Sequence, residues 1–299
     1  MNTLSNKEKN QVLAQAWIDY NPEIVKVNDD AIARLQFYGD KNVLSNGENE
    51  VFSGKEPKDI VHYLIGLNSI NYQFWDVQDG VFTRYQNNGK VGALAMTAGF
   101  SKFFEFMEEV KFNTGYINSE KMKEFFGDIP EVDERINILR ESLNDYTFDV
   151  VWEIINRDIN KGVLDVETAH QIAEVMPVSF QDPYLKKIQL ALFEVADALN
   201  KRGFSIVTDL TVAADYQIPR ILEHRGVLVY NKELSKKIDN QEVIDAESKE
   251  EKALRAATII ACNEISEYHR VAVPALDKML WLARNESKKP FHLTKTPRY

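Results

Sequence analysis

Leu210-Thr-Val-Ala-Ala-Asp215-Tyr-Gln-Ile-Pro219-Arg-Ile-Leu222, running on to Gly226-Val-Leu-Val-Tyr230, sets one carboxylate and one aromatic ring in a short break between two apolar segments. Pro219 suits the first turn of a new helix, where its missing N–H leaves no bond unmade. Asp215 therefore stands at a helix junction, and two readings follow. An Asp ahead of a helix can cap it, accepting the orphan N–H groups of the next turn. A carboxylate on an apolar junction, where solvent is scarce, is also placed to act as a catalytic acid or base. Residue types alone leave both open.

Outward from this stretch the chain reads as helical. Its 299 residues include only 13 glycines and 9 prolines, roughly 7% against about 12% in average usage. Ser5 with Glu8 has capping-box spacing ahead of Val12, Leu13, Ala16 and Trp17, predicting a first helix to about Tyr20. Ala31 to Phe37 reads as a second helix. Lys58 to Phe74 reads as a third, with the Phe74–Trp75 pair at its C-terminal end. Between 76 and 92, Asp79-Gly80 and Asn87-Asn88-Gly89 flank Val81 to Tyr85 and predict a short strand or hairpin. Helical patterning resumes over 93–110, 119–126, 131–144, 148–157 and 165–175. Pro183 to Arg202 carries the clearest stripe, and Ser248 with Glu251 has capping-box spacing at the start of a long helix through Ile265. The expected fold is mainly α: a single helical domain, residues 1–299, with a short strand or hairpin near residues 80–92.

Composition excludes several functions. A formal charge of −10 argues against general affinity for nucleic-acid backbones, which requires clustered Lys and Arg. The lone cysteine, Cys262, permits no intrachain disulfide and fits a reducing compartment; its apolar surroundings in sequence predict a buried structural thiol. Neither a transmembrane-length apolar run nor a signal peptide is present, so a soluble cytoplasmic protein is expected. The five histidines are scattered without ligand spacing, so no metal site is expected. No phosphate-binding glycine loop or nucleophile elbow occurs.

Other residues carry paired readings. Lys186 shares a helix flank with Leu190 and Phe193 and either snorkels to water or reaches into a cleft. Lys187 competes for the same role. Phe74 and Trp75 belong to the core or stack on a planar base. Asp277 and Trp281, four residues apart, share a helix face; Asp277 lines a pocket wall or pairs, with Arg284 seven residues on. His292 lies in a polar tail that either folds over a site or is a mobile terminus.

Four segments in order give these residues a common context. The Leu210–Tyr230 stretch resembles the signature of the queuosine salvage proteins, the queuosine 5′-phosphate N-glycosylase/hydrolase family. Leu67-Asn-Ser-Ile-Asn-Tyr-Gln-Phe74-Trp75 is similar to that family's N-terminal aromatic motif, and Tyr184-Leu-Lys186-Lys187-Ile-Gln189 to its Lys-containing helix. Leu276-Asp277 with Leu280-Trp281, then Pro290-Phe291-His292, is similar to its C-terminal block. The resemblance covers about residue 60 to the end.

It implies a fold similar to helical DNA glycosylases and a hydrolase that cuts the N-glycosidic bond of queuosine 5′-monophosphate, releasing queuine. On that resemblance Asp215 is the catalytic carboxylate and Lys186 its partner, tuning it or meeting the 5′-phosphate. Phe74, Trp75, Asp209, Tyr216, Asp277, Trp281 and His292 are expected to bind substrate, with Asp277 or Asp209 facing the cationic amine of queuine and His292 the phosphate. No metal or other cofactor is expected, and the partner is a small-molecule nucleotide rather than nucleic acid or membrane. The chain departs from the family pattern at Ala93 and Leu94, where aromatic residues usually follow the glycine, and at Ser101-Lys102, where an Asn-Arg pair is usual. Those positions put the identity of the base in question more than the chemistry. A glycosylase acting on another deazapurine nucleotide or on a nucleic-acid base, and a non-catalytic nucleotide-binding module, are the rival readings.

Overall fold

Helices dominate the computed structural model, which describes residues 10–36, 52 and 54–299; strands contribute only short pairs. The mainly α expectation holds. These residues cluster into two compact units, each assembled from separated stretches: residues 10–36, 182–189 and 208–296 in the first, and 52, 54–181, 190–207 and 297–299 in the second.

In the first unit the long helix Lys249–His269 is buried along most of its length, with Leu254, Ala257, Ile260, Ala261 and Ile265 in the core. Cys262 lies among them, its thiol pushed well above the ordinary value by burial and then by the nearby Asp277 carboxylate. Against this helix pack Gln11–Asp19 and Val273–Ala283. The expected capping box at Ser5 and Glu8 lies outside the described residues; Gln11–Asp19 is capped by Asn10, whose side chain accepts from the Leu13 N–H. The second helix spans Asp29–Arg34 behind Asn28, and Phe37 lies outside the described residues. Val25–Val27 pairs antiparallel with Leu228–Tyr230.

Ser248 caps the long helix at Glu251 N–H. The reciprocal half of the expected box is absent among the bonds described: the Glu251 carboxylate turns inward, 3.9 Å from Arg255 Nε and 3.7 Å from His292 Nε2.

The second unit is built from the helices Pro57–Ser69, Ala93–Glu109, Ser119–Phe126, Val132–Ser142, Asp145–Lys161 and Val166–Val175. Its core is aromatic, with Tyr63, Phe100, Phe103, Phe104 and Phe126 in edge and tilted contacts. At Gly99 a Cβ would come within 2.7 Å of the Phe125 carbonyl oxygen, so only glycine admits that approach. His62 lies in this core, stacked on Phe148 at 3.9 Å. Burial first, then the nearby Lys58 charge, lowers it to about 3, with Asp149 opposing.

One expected boundary moves. Helix Pro57–Ser69 ends before Phe74 and Trp75, because the buried Arg135 guanidinium takes the carbonyls of Ile70, Tyr72 and Gln73 and lies over the Tyr72 ring. Chain oxygens bound this way leave the helix ladder, and Gln73 takes a φ of 34°. Trp75 instead opens the strand Trp75–Gln78, paired antiparallel with Val81–Arg84. Asp79 and Gly80, at φ 49° and 77°, form the left-handed turn that a two-residue hairpin requires. A second small hairpin pairs Gln86–Asn87 with Lys90–Val91.

Candidate active site

Most of the residues singled out from the sequence fall in the first unit, around the turn that ends at Asp215. Helix Ile218–His224 starts directly after it, with Pro219 in the first turn as expected. Asp215 Oδ1 accepts from the N–H groups of Gln217 at 2.7 Å and Ile218 at 3.1 Å. Asp215 is not the N-cap itself, which is Gln217; it braces the helix start from two residues ahead, and does so with one oxygen. Oδ2 makes no hydrogen bond to the described residues, and the residue is only half-buried. A carboxylate with one oxygen anchored and the other open is suited to meet water and a reacting centre.

The backbone leading to that carboxylate is held residue by residue. Gln189 Oε1 accepts from Thr211 N–H at 2.7 Å, while Gln189 Nε2 donates to the Tyr184 carbonyl and to Thr211 Oγ1. Asp277 Oδ2 accepts from Ala213 N–H at 2.9 Å. Arg255 Nε donates to the Ala214 carbonyl at 3.2 Å. The groups holding the turn are buried in their turn: Gln189 is fully buried, and Asp277 and Arg255 nearly so.

Lys186 opens helix Lys186–Asn200, three residues later than the expected Pro183 start. Its N–H donates to Asp182 Oδ2 at 2.8 Å, and Leu185 before it takes a φ of 52°. Its side chain is buried, as is that of Lys187. A lysine drawn into the interior does not snorkel to water. Tyr216, beside the carboxylate, packs on Phe291 with ring centroids 4.6 Å apart; this brings the C-terminal block to the Asp215 turn. His292 follows Phe291 and is buried, 2% exposed. Burial, then the Arg255 charge, lowers His292 to about 3, so its imidazole is neutral near pH 7. Any part it plays toward a phosphate is that of a neutral hydrogen-bond donor.

Trp281 is half-buried, one face covered by the Arg284 guanidinium 3.5 Å from the ring centroid. Asp209 is exposed at the end of strand Val207–Asp209. Phe74 and Trp75 belong to the second unit. Phe74 packs with Tyr85 and Trp75 with Phe82, and both are buried. Trp75 Nε1 has no hydrogen-bond partner among the described residues. Gly92, at φ 61°, starts helix Ala93–Glu109 with Leu94 exposed after it; Ser101 bonds the Tyr63 hydroxyl and Lys102 faces solvent.

Residues 174–298, which include Lys186, Asp215, Asp277 and His292, match the family model of the queuosine salvage protein. Over that stretch the chain is similar to the queuosine salvage proteins. Three of its relatives are named queuosine 5′-phosphate N-glycosylase/hydrolase. The protein of Sphaerobacter thermophilus is 27% identical over 95% of this chain and 93% of its own length. That of Dictyostelium discoideum is 25% identical over 78% and 76%, and that of Mus musculus 23% over 77% and 79%. The queuosine salvage match thus spans the Asp215 turn, the Lys186 helix start and the C-terminal block.

Asp182 and Arg255 carry no functional signal in the sequence. Arg255 sits in an apolar run with no local signal of its role, and only its fold-distant partners reveal it. Among the described residues no group of three or more His, Cys, Asp or Glu side chains is arranged to hold a metal ion, and no helix is long and apolar enough to cross a membrane.

Proposed function

We propose that this chain hydrolyses the N-glycosidic bond of queuosine 5′-monophosphate, releasing queuine, in the cytoplasm and without a metal or other cofactor. The observation that carries the reading is the Asp215 carboxylate: Oδ1 fixed by two amides, Oδ2 open, and the preceding backbone pinned by Gln189, Asp277 and Arg255. The similarity to the N-glycosylase/hydrolases supports the substrate class.

Breaking the ribosyl C–N bond builds positive charge on the sugar. A fixed carboxylate beside the anomeric carbon stabilises that charge, and Oδ2 takes a proton from the attacking water as its oxygen bonds to the carbon. The electron pair of the cleaved bond leaves with the base, whose nitrogen takes up a proton to give queuine while Asp215 gives up the proton it took from water, so that one water is consumed and the carboxylate is restored. Because the base is a 7-deazaguanine, with carbon in place of the basic N7, departure is not assisted by protonation there. The burden shifts to the ribosyl cation and therefore to the placement of Asp215. Lys186 supplies positive charge beside the site, for the phosphate or to tune the carboxylate. Asp277, bound to Ala213 N–H, acts first as a support of the turn. Phe74, Trp75, Asp209, Tyr216, Trp281 and His292 stay proposed substrate contacts on the strength of the family resemblance.

The test is mass-spectrometric: purified protein with queuosine 5′-monophosphate, queuosine and GMP, in the presence and absence of EDTA. Queuine release from the monophosphate, undiminished by EDTA, is expected. Folded protein that releases no base from any of the three overturns the reading, and loss of activity in EDTA overturns its metal-free part.

A further inference from the structure

One buried ion pair ties the turn before Asp215 to the start of the Lys186 helix. Arg255 Nη1 and Nη2 donate to Asp182 Oδ1 and Oδ2, each at 2.7 Å, while Nε donates to the Ala214 carbonyl. Asp182 Oδ2 also accepts from Lys186 N–H. The guanidinium lies 4.6 Å over the Tyr184 ring, and the Tyr184 hydroxyl donates to Asp19 Oδ2 at 2.7 Å. Both charged side chains are 2% exposed.

We propose that Arg255 and Asp182 are positioning residues for the hydrolysis, fixing the Ala214–Asp215 peptide and the first turn of the Lys186 helix in one frame. The inference rests on the glycosidase reading, in which Asp215 takes the proton from water and Lys186 supplies charge for the phosphate or to tune the carboxylate. Stability alone does not account for a pair of this kind, because apolar residues of similar volume serve a core as well or better. Geometry does account for it. A planar fork with donors on three nitrogens holds a carboxylate in a two-pronged grip on one side and a carbonyl on the other; a lysine ammonium, a point charge, fixes neither plane. The bonded carbonyl is that of the peptide whose nitrogen is Asp215's own. A swing of that peptide moves the Asp215 carboxylate directly, and with it the distance to Lys186.

The test uses the Asp182→Leu/Arg255→Met double variant, which replaces both charges together, and Arg255→Lys, which keeps charge but removes the fork. Leu234→Ala, at a buried site on helix Lys232–Asp239, controls for loss of stability. In the queuine-release assay both pair variants are expected to lose ~10–100-fold in kcat with KM changed by less than about threefold, the scale of a reacting group displaced by about an ångström. Amide hydrogen exchange at Gln217 and Ile218, the donors to Asp215, is expected to quicken in both, while amides of helix Val273–Ala283 hold. The control is expected to change neither kcat nor that exchange. Parental kcat and exchange in the folded pair variants would overturn the proposal. So would an equal fall in kcat in Leu234→Ala at matched loss of Tm. If the double variant does not fold, Arg255→Lys decides by the same two readouts. If the parent protein itself releases no queuine, the glycosidase reading has failed. The exchange arm then stands alone, and unchanged exchange overturns the positioning role.

Discussion

Each unit contains one buried histidine held far below its ordinary value, His62 in the second and His292 in the first, and this gives the protein a defined acid response. Both fold as neutral imidazoles, with values of about 3 against 6.5 in the unfolded chain. Below about pH 6.5 the unfolded chain therefore binds more protons than the folded one, and stability falls as pH falls toward 3. At about pH 5.5 protonation of one free histidine favours the unfolded chain by about 1.4 kcal/mol, against less than about 0.1 at pH 7.5. For the pair the difference is about 3 kcal/mol. Any folded value well below 5.5 yields the same figure, so the result tests burial of the neutral ring rather than a particular value. The assay is urea unfolding at the two pH values for the parent, His62→Leu and His292→Gln. Each substitution is expected to remove about half of the pH-dependent difference, whatever it does to stability at pH 7.5. A variant with the parental pH dependence would refute the assignment for that histidine.

Asp215→Asn is expected to retain the fold while turnover falls ~10²–10⁴-fold; near-parental turnover in the mass-spectrometric assay would remove Asp215 from the mechanism. Asp277→Ala leaves the buried Ala213 N–H without its acceptor and is expected to destabilise by about 1–3 kcal/mol, with kcat falling alongside. Asp277→Asn keeps an acceptor oxygen and should lose much less; equal losses in Tm and kcat for the two variants would contradict the supporting role. Asp158 bonds Arg157, Lys161 and Thr168, and although burial alone raises its value, those partners bring it down to about 2. Its contribution is thus present above about pH 4 and lost as pH falls through about 2. Asp158→Asn should be less stable than the parent by about 2 kcal/mol at pH 6, with the gap closing at pH 2 if thermal unfolding is followed at both.

What the sequence made legible was chemistry confined to a few neighbouring residues. Pro219 in a first turn, Asp79-Gly80 and Asn88-Gly89 at hairpin tips, and the helix Ser119–Phe126 behind Asn118 each rest on local backbone constraints. Where a distant partner intervenes, local reading fails. Apolar spacing hides the end of helix Pro57–Ser69, because the residue that ends it is Arg135, far along the chain. Ser248 and Glu251 have the spacing of a reciprocal cap, yet Glu251 faces Arg255 and His292 instead. The three-residue strands Val25–Val27 and Leu228–Tyr230 are too short to show a period. At the candidate site the asymmetry repeats: Asp215 announced itself by standing in an apolar break, whereas Arg255 and Asp182, which hold it, look ordinary in sequence.

The pairing of Val25–Val27 with Leu228–Tyr230 also bears on how the chain is made. The early strand emerges from the ribosome roughly 200 residues before its mate, a wait of about 10–40 s at ordinary rates of synthesis. Throughout that interval its edge, and the apolar side of helix Gln11–Asp19, have no native surface to settle on, because helix Lys249–His269 comes later still. The stretch 174–298 that matches the family model lacks both of those N-terminal pieces. Released by itself, it would leave a strand edge and an apolar helix face bare, and such edges seed self-association. Residues 11–27 therefore complete a core whose other half is the last part of the chain to be made.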